Sequence, residues 1–254
     1  HYVNFIIFFV SLIYFYLTLT VLTKNKLYSI LGVLMLLLSP KIFAGSFYNT
    51  IDIFFFSIVI ILNYYLVRSL ENLNLKNIIF VSLFTAFAVD HRIAGIFFLV
   101  LNFFFLLIHI NLFVPKNKYQ KLYPYIYLIL SIFFIYIFWP YLWSDPINNF
   151  ITAFKEMSNW SFIVDNLFMG KIYPSNEVPI FYIPFWMFIS TPLFYTLLFL
   201  FGLLFLLKEL KNFNKYLISK NLKSYFFLAV LIGNFIAIII FQPSLYNSWR
   251  HFYF

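Results

Sequence analysis

Eight apolar runs separated by short polar stretches constrain this chain more than any other feature. They cover residues 4–22, 27–38, 52–67, 77–89, 93–114, 122–143, 178–207 and 225–241. Hydrophobic residues make up 64% of the chain and charged residues 10%, against about 25% charged in a soluble domain. Runs of this length suit helices that cross a bilayer, whereas a membrane barrel shows ten-residue alternating segments. The expected fold class is therefore all-α, a polytopic transmembrane helical protein with about eight spans. Residues 1–254 form a single transmembrane domain, and 144–178 form a large external loop. The chain begins with His1 inside an apolar run and stops at Phe254 in what reads as the approach to another span. We therefore expect it to be a piece of a longer polytopic protein.

Two runs need a closer reading. Residues 27–38 give about 18 Å of helix, short for a hydrocarbon core of roughly 30 Å. The run 77–114 is far too long for one span, so a tight turn is expected at Asp90-His91-Arg92. After the sixth run comes Ser144-Asp145-Pro146, an N-cap followed by proline at the first helical position. Ile147, Phe150, Ile151, Phe154 and Met157 then recur at helical spacing, with Asn148, Asn149, Lys155 and Glu156 opposite. This pattern predicts an amphipathic helix on the membrane surface.

Basic residues set the orientation. One set of loops holds Lys24, Lys26, Arg68, Lys76, Lys116, Lys118, Lys121, Lys208, Lys211, Lys215, Lys220 and Lys223; the other holds Lys41, Arg92, Lys155, Lys171 and Arg250. The first set is cytoplasmic by the positive-inside rule. Asp52, Asp90, Asp145, Glu156, Asp165 and Glu177 then all lie outside. The net charge of +9 is accounted for mostly by orienting lysines, so no nucleic-acid partner is needed. There is no cysteine, which excludes disulfides and thiolate metal sites. No Gly-rich phosphate loop, zinc pattern or serine elbow is present, so a soluble-type nucleotide enzyme is excluded.

The external charges offer three constellations. Asp52 follows the hinge 39–51 and heads a span, where the helix dipole favours an anion. It reads as a base, a metal ligand or an acceptor-binding group, or simply as an aid to helix initiation. Arg92 places a cation near the depth of a lipid phosphate, or belongs to a turn with Asp90 as its partner. Trp249-Arg250-His251 suits a sugar face and a phosphate, or anchors the next span at the interface. His109, Asn102, Asn111 and Asn234 lie inside runs and are expected to pack or pair between helices.

The chain resembles the bacterial branch of the GT-C membrane glycosyltransferases, the protein O-mannosyltransferases and aminoarabinose transferases that use polyprenyl-phosphate sugars. The hinge SPKIFAGSFYNTIDIFFF is similar to that family's second external loop, where a cation, a small residue and an Asn lead to an Asp. Arg92 is similar in position to the family's cation. GKIYPSNEVPIFYIPFWMFISTP and LYNSWRHFYF resemble later external segments of one subgroup.

The resemblance implies an inverting hexosyl- or pentosyltransferase of the bacterial inner membrane. It would move a sugar from a polyprenyl-phosphate donor to a protein, lipid or glycan acceptor on the external face. Asp52 would serve the acceptor side, Arg92 and Arg250 the donor phosphate, and Asn49, Tyr173, Trp249 and His251 the sugar and acceptor. A divalent metal stays open. The carboxylate usually assigned as catalytic in the family lies after the first span, and nothing before Lys24 supplies it, so the chain by itself is expected to be inactive. The alternatives are a transporter or lipid flippase, or a non-catalytic protein of envelope assembly.

Overall fold

The computed structural model describes residues 1–113, 117–158, 163–210, 215–241, 243–250 and 253. Its helices, in chain order, are α1 (Tyr2–Thr23), α2 (Lys26–Leu37), α3 (Pro40–Tyr48), α4 (Asp52–Glu71), α5 (Leu75–His91), α6 (Ile96–Leu112), α7 (Tyr123–Phe138), α8 (Pro146–Ser158), α9 (Tyr182–Ser190), α10 (Leu193–Leu210) and α11 (Lys215–Phe241). An antiparallel hairpin of β1 (Asp165–Phe168) and β2 (Lys171–Pro174) interrupts the series, with Asp165 opposite Pro174 and Phe168 opposite Lys171.

Among the described residues five helical segments are long and apolar enough to span a membrane: Tyr2–Thr23, Asp52–Glu71, Ile93–Leu112, Lys118–Phe138 and Lys220–Ile240. A sixth span arises if α2 and α3, bent by 63° at Leu38–Ser39, count as one. The expected eight spans are thereby corrected to five or six. The run 77–89 lies in α5, which stops after 17 residues at the charged triplet. The run 178–207 is split between α9 and α10 because Pro192 offers no N–H and pushes Thr191 into extended backbone (φ −99°, ψ 136°).

The bundle is organised around α4. Its spanning window is 72% buried, against 17–33% for the other four, so α4 is the helix that touches protein on every side. Phe55, Val59, Leu62 and Leu66 pack there against Ile78 and Val81 of α5, Phe98 and Leu106 of α6 and Phe226 of α11. Two hydroxyls of α4 are satisfied locally: Ser57 donates to the Ile53 carbonyl at 2.8 Å and Ser69 to Tyr65 at 2.9 Å. Asn4 of α1 donates to the Ser46 carbonyl of α3 at 2.8 Å. Asn102, expected to pair between helices, is fully buried on α6 and interacts with the Tyr127 hydroxyl of α7.

The turn expected at the charged triplet is present. Arg92 takes extended backbone (φ −147°), and its N–H closes α5 on the Ala88 carbonyl. A 3-10 turn, Ile93–Gly95, then folds back onto α5. Gly95 is required there because a Cβ would lie 2.5 Å from backbone atoms of Ala88 and Val89.

The amphipathic helix forms where its pattern placed it, as α8. Asp145 accepts the Asn148 N–H at 3.2 Å and its side-chain amide at 2.7 Å. These bonds hold the carboxyl below its usual range. Ile147, Ile151 and Phe154 stay exposed while Phe150 packs on Trp139.

Two outcomes test this architecture. Gly95→Ala will destabilise the protein by about 1–3 kcal/mol, because the clash is with backbone; thermal unfolding in detergent measures it. For orientation, a single cysteine at Asn176 will react with a membrane-impermeant thiol reagent in intact cells, and one at Lys26 will not. The reverse labelling pattern overturns the assignment of sides.

Candidate functional site

The hinge and the start of α4 lock together first. Asn49 Oδ1 accepts the Asp52 N–H at 2.9 Å, and Asn49 Nδ2 donates to Asp52 Oδ2 at 2.8 Å. The two bonds form a reciprocal clasp like a capping box, with the Asn side-chain amide in the second donor role. They fix the carboxylate of Asp52, which is 5% exposed.

A charge buried so far requires partners. Arg92 reaches over from the end of α5 and pairs through Nη1 with Asp52 Oδ1. Of the two readings of Arg92, the turn paired with Asp90 gives way to a contact between helices. Arg92 lies at the extended residue after α5, which directs it away from its neighbour and towards α4. Both carboxyl oxygens of Asp90 are buried without a hydrogen-bond partner among the described residues. His91 sits beside them with Nε2 2.9 Å from the Ile51 carbonyl and its ring on Phe54 at 4.8 Å.

Arg250 brings the second guanidinium, with Nε 3.6 Å from Asp52 Oδ2 and its plane over Tyr246 at 4.8 Å. The segment that carries it is stitched down along its length. Leu245 donates to the Ser175 carbonyl at 2.8 Å and accepts from Asn166 at 3.0 Å. Asn247 and Ser248 both take left-handed backbone (φ 55° and 70°). That turn presents the Ser248 N–H to the Tyr182 hydroxyl at 3.1 Å. Trp249 Nε1 donates to Ser190 Oγ at 2.6 Å.

Lys41 completes the cluster. It donates to Ser248 Oγ and lies 5.9 Å from the Trp186 ring and 5.7 Å from the Trp249 ring. Arg92 and Arg250 thus gather at Asp52, and Lys41 lies beside them against Ser248, Trp186 and Trp249. At the opposite end Glu71 pairs with Arg68 at 3.1 Å and with Lys223 at 3.6 Å.

The sequence candidates divide as follows. Asp52, Asn49, Arg92 and Arg250 converge, and Trp249 adjoins them through Lys41. Tyr173 sits on β2 against Phe168, in the apolar cluster that also holds Trp249. His251 lies outside the described residues. Sequence reasoning missed Lys41 as a site residue, and with it Trp186, Ser248 and Tyr253. The signal for Lys41 was its scarcity, one of five cations on that side. Burial, with Tyr48 and Asp52 nearby, raises the proton affinity of the Tyr253 phenol.

Beside this cluster opens a cleft of about 250 Å³, walled by Ile183 and Met187 of α9, Phe227 and Val230 of α11, and Trp249 and Tyr253. Trp249 is thus shared between an apolar cleft and a cationic cluster. Among the described residues no group of three or more His, Asp or Glu side chains converges as a metal site would require.

The spans and the site define a multi-pass helical membrane protein with a charged centre at one end of its bundle. Comparison with protein-family models, with curated proteins and with solved structures finds no match.

Removing the central charge tests the cluster. Asp52→Ala takes the shared carboxylate from two guanidiniums and will cost about 3–5 kcal/mol in thermal stability. Asp52→Glu, which keeps the charge, will lose less.

Proposed function

We propose that this chain is part of an integral-membrane glycosyltransferase that moves a sugar from a polyprenyl-phosphate donor to an acceptor on the external face. The observation that carries the reading is the joining, at Trp249, of an apolar cleft to a cluster of three cations. A lipid phosphate has the same two parts, an apolar chain and an anionic head. The resemblance of the hinge and of the later external segments to GT-C enzymes supplies the sugar and the reaction type.

In the proposed reaction an acceptor hydroxyl attacks the anomeric carbon from the face opposite the phosphate. The bond from that carbon to the phosphate oxygen breaks, and the lipid phosphate leaves with the electron pair. Arg92 and Arg250 stabilise the charge gathering on that oxygen. The acceptor proton passes to a carboxylate. Asp52 faces this site, but its oxygens already accept from Asn49 and pair with two guanidiniums. It therefore acts as a base only when a phosphate draws an arginine away. Without that exchange Asp52 is an organiser of the cations, and the proton goes to an acid elsewhere in the whole protein.

The test uses the full-length protein in nanodiscs with a polyprenyl-phosphate sugar. Arg92→Lys keeps the charge and loses the planar fork, so donor affinity will fall about tenfold with the fold retained. Unchanged donor affinity in Arg92→Lys and Arg92→Ala overturns the assignment of Arg92. Failure of the wild-type protein to bind any lipid phosphate overturns the reading itself.

A further inference from the structure

The hairpin of β1 and β2 is packed on one side only. On that side Phe168 rests against Phe181, Tyr182 and Phe185 of α9, and Asn166 donates to the Leu245 carbonyl at 3.0 Å. Leu167 and Ile172 are paired across the strands and point the other way. Each is 70% exposed, and Met169 at the turn is 66% exposed. The turn stands clear of the bundle: apart from its chain neighbours, a Cβ at Gly170 would meet nothing within 4 Å among the described residues. A lone exposed leucine is ordinary, but three large apolar side chains gathered on one small hairpin call for a partner.

Two features point to lipid as that partner. The exposed apolar side chains continue along the chain, through Phe181 and Phe188 on one face of α9 to Leu193, Phe194, Phe201 and Leu204 of α10, an apolar helix suited to a bilayer. The hairpin is also divided along its length, with Lys171 beside the turn and the carboxylates of Asp165 and Glu177 at the open end. A lysine next to an apolar tip suits lipid phosphates, because its long stem lets the ammonium reach the head groups while the tip goes deeper. The depth is limited by the backbone. A two-stranded hairpin leaves its outer N–H and C=O groups unpaired, and these need water or head groups. The side chains of the turn therefore enter the edge of the acyl region while the strands stay among the head groups.

We propose that the hairpin is an interfacial anchor, with Leu167, Met169 and Ile172 dipping into the bilayer surface at the end of the bundle where Asp52 lies. Its partner is the lipid surface itself, and no reaction is needed for the anchor to hold. The consequence for the site is positional. Asn166 and Ser175 tie the hairpin to Leu245, on the segment that carries Trp249 and Arg250. The depth at which the hairpin sits thus sets the height of Trp249 and Arg250 relative to the lipid head groups.

The experiment introduces Leu167→Cys, Met169→Cys, Ile172→Cys or Asn176→Cys singly into the full-length protein freed of other cysteines. Each is labelled with a fluorescent dye and reconstituted in phosphatidylcholine vesicles with and without lipids brominated near the head group. Dyes at positions 167, 169 and 172 are expected to lose most of their emission to bromine, and the dye at 176 to keep it. Met169→Asp puts a charge at the tip, and aspartate accepts the left-handed backbone that Met169 holds (φ 50°), so the hairpin keeps its turn. It is expected to restore the emission of a dye at 172, while Met169→Leu leaves the quenching as it was. Quenching no stronger at 167, 169 and 172 than at 176 overturns the proposal. Dyes at those three positions that escape bromine and are also sealed from iodide in the water lie under protein, which overturns it as well. Undiminished quenching at 172 in Met169→Asp removes the tip from the anchoring role and sinks the proposal too.

Discussion

The burial of one carboxylate at the end of a membrane bundle governs the arrangement around it. Asp52 is 5% exposed, and an ionised group at that depth is tolerated only with paired charges and filled hydrogen-bond positions. The chain meets this demand from three places far apart in sequence. Asn49 arrives from the hinge, Arg92 from the end of α5 and Arg250 from the segment after α11. Satisfying one charge thus ties α3, α4, α5 and the last described segment into a single end-structure. Net stability is not the main product of such a cluster, since buried ion pairs roughly offset their own desolvation. Its product is a fixed relative position for cations that would otherwise repel.

The rest of the bundle explains why so much rests on polar contacts. Lipid tails are as apolar as leucine, so helix association in a membrane gains little from the hydrophobic effect. Large side chains such as Phe9, Ile13, Phe201 and Leu204 remain exposed and suit a lipid environment. Association then depends on packing around α4 and on ties such as Asn4 to Ser46 and Thr85 to Tyr127 at 3.0 Å. The segments between and after the long helices follow the same logic. The hairpin, α9 and residues 243–250 are joined by Asn166, Ser175, Tyr182 and Ser190, four small or hydroxylic groups in an otherwise aromatic cluster. These ties set where Trp249 stands between the cleft and Lys41.

The apolar runs, the turn at Asp90-His91-Arg92 and the surface helix after Asp145-Pro146 were legible in the sequence because each depends on local signals: hydropathy over a window, charge in an apolar context, a cap followed by periodic residues. The number of full spans was overcounted, since hydropathy does not register a 63° bend between α2 and α3 or the break at Pro192. The hairpin was missed because its turn uses Met169 and Gly170, both at positive φ, in place of the Asn-Gly pair that announces such a turn. Asp52, Arg92, Arg250 and Trp249 stood out as rare polar or aromatic groups at run ends. The sequence by itself determined that several helices are apolar enough to cross a bilayer, because hydropathy sums over residues regardless of contacts. Only the tertiary structure decided that Arg92 pairs with Asp52 instead of Asp90, and that Lys41 enters the cluster. Which cation meets which carboxylate depends on the angle at which α5 ends and on a chain that returns from residue 250 to residue 52, and a charge is satisfied by what lies near it in space.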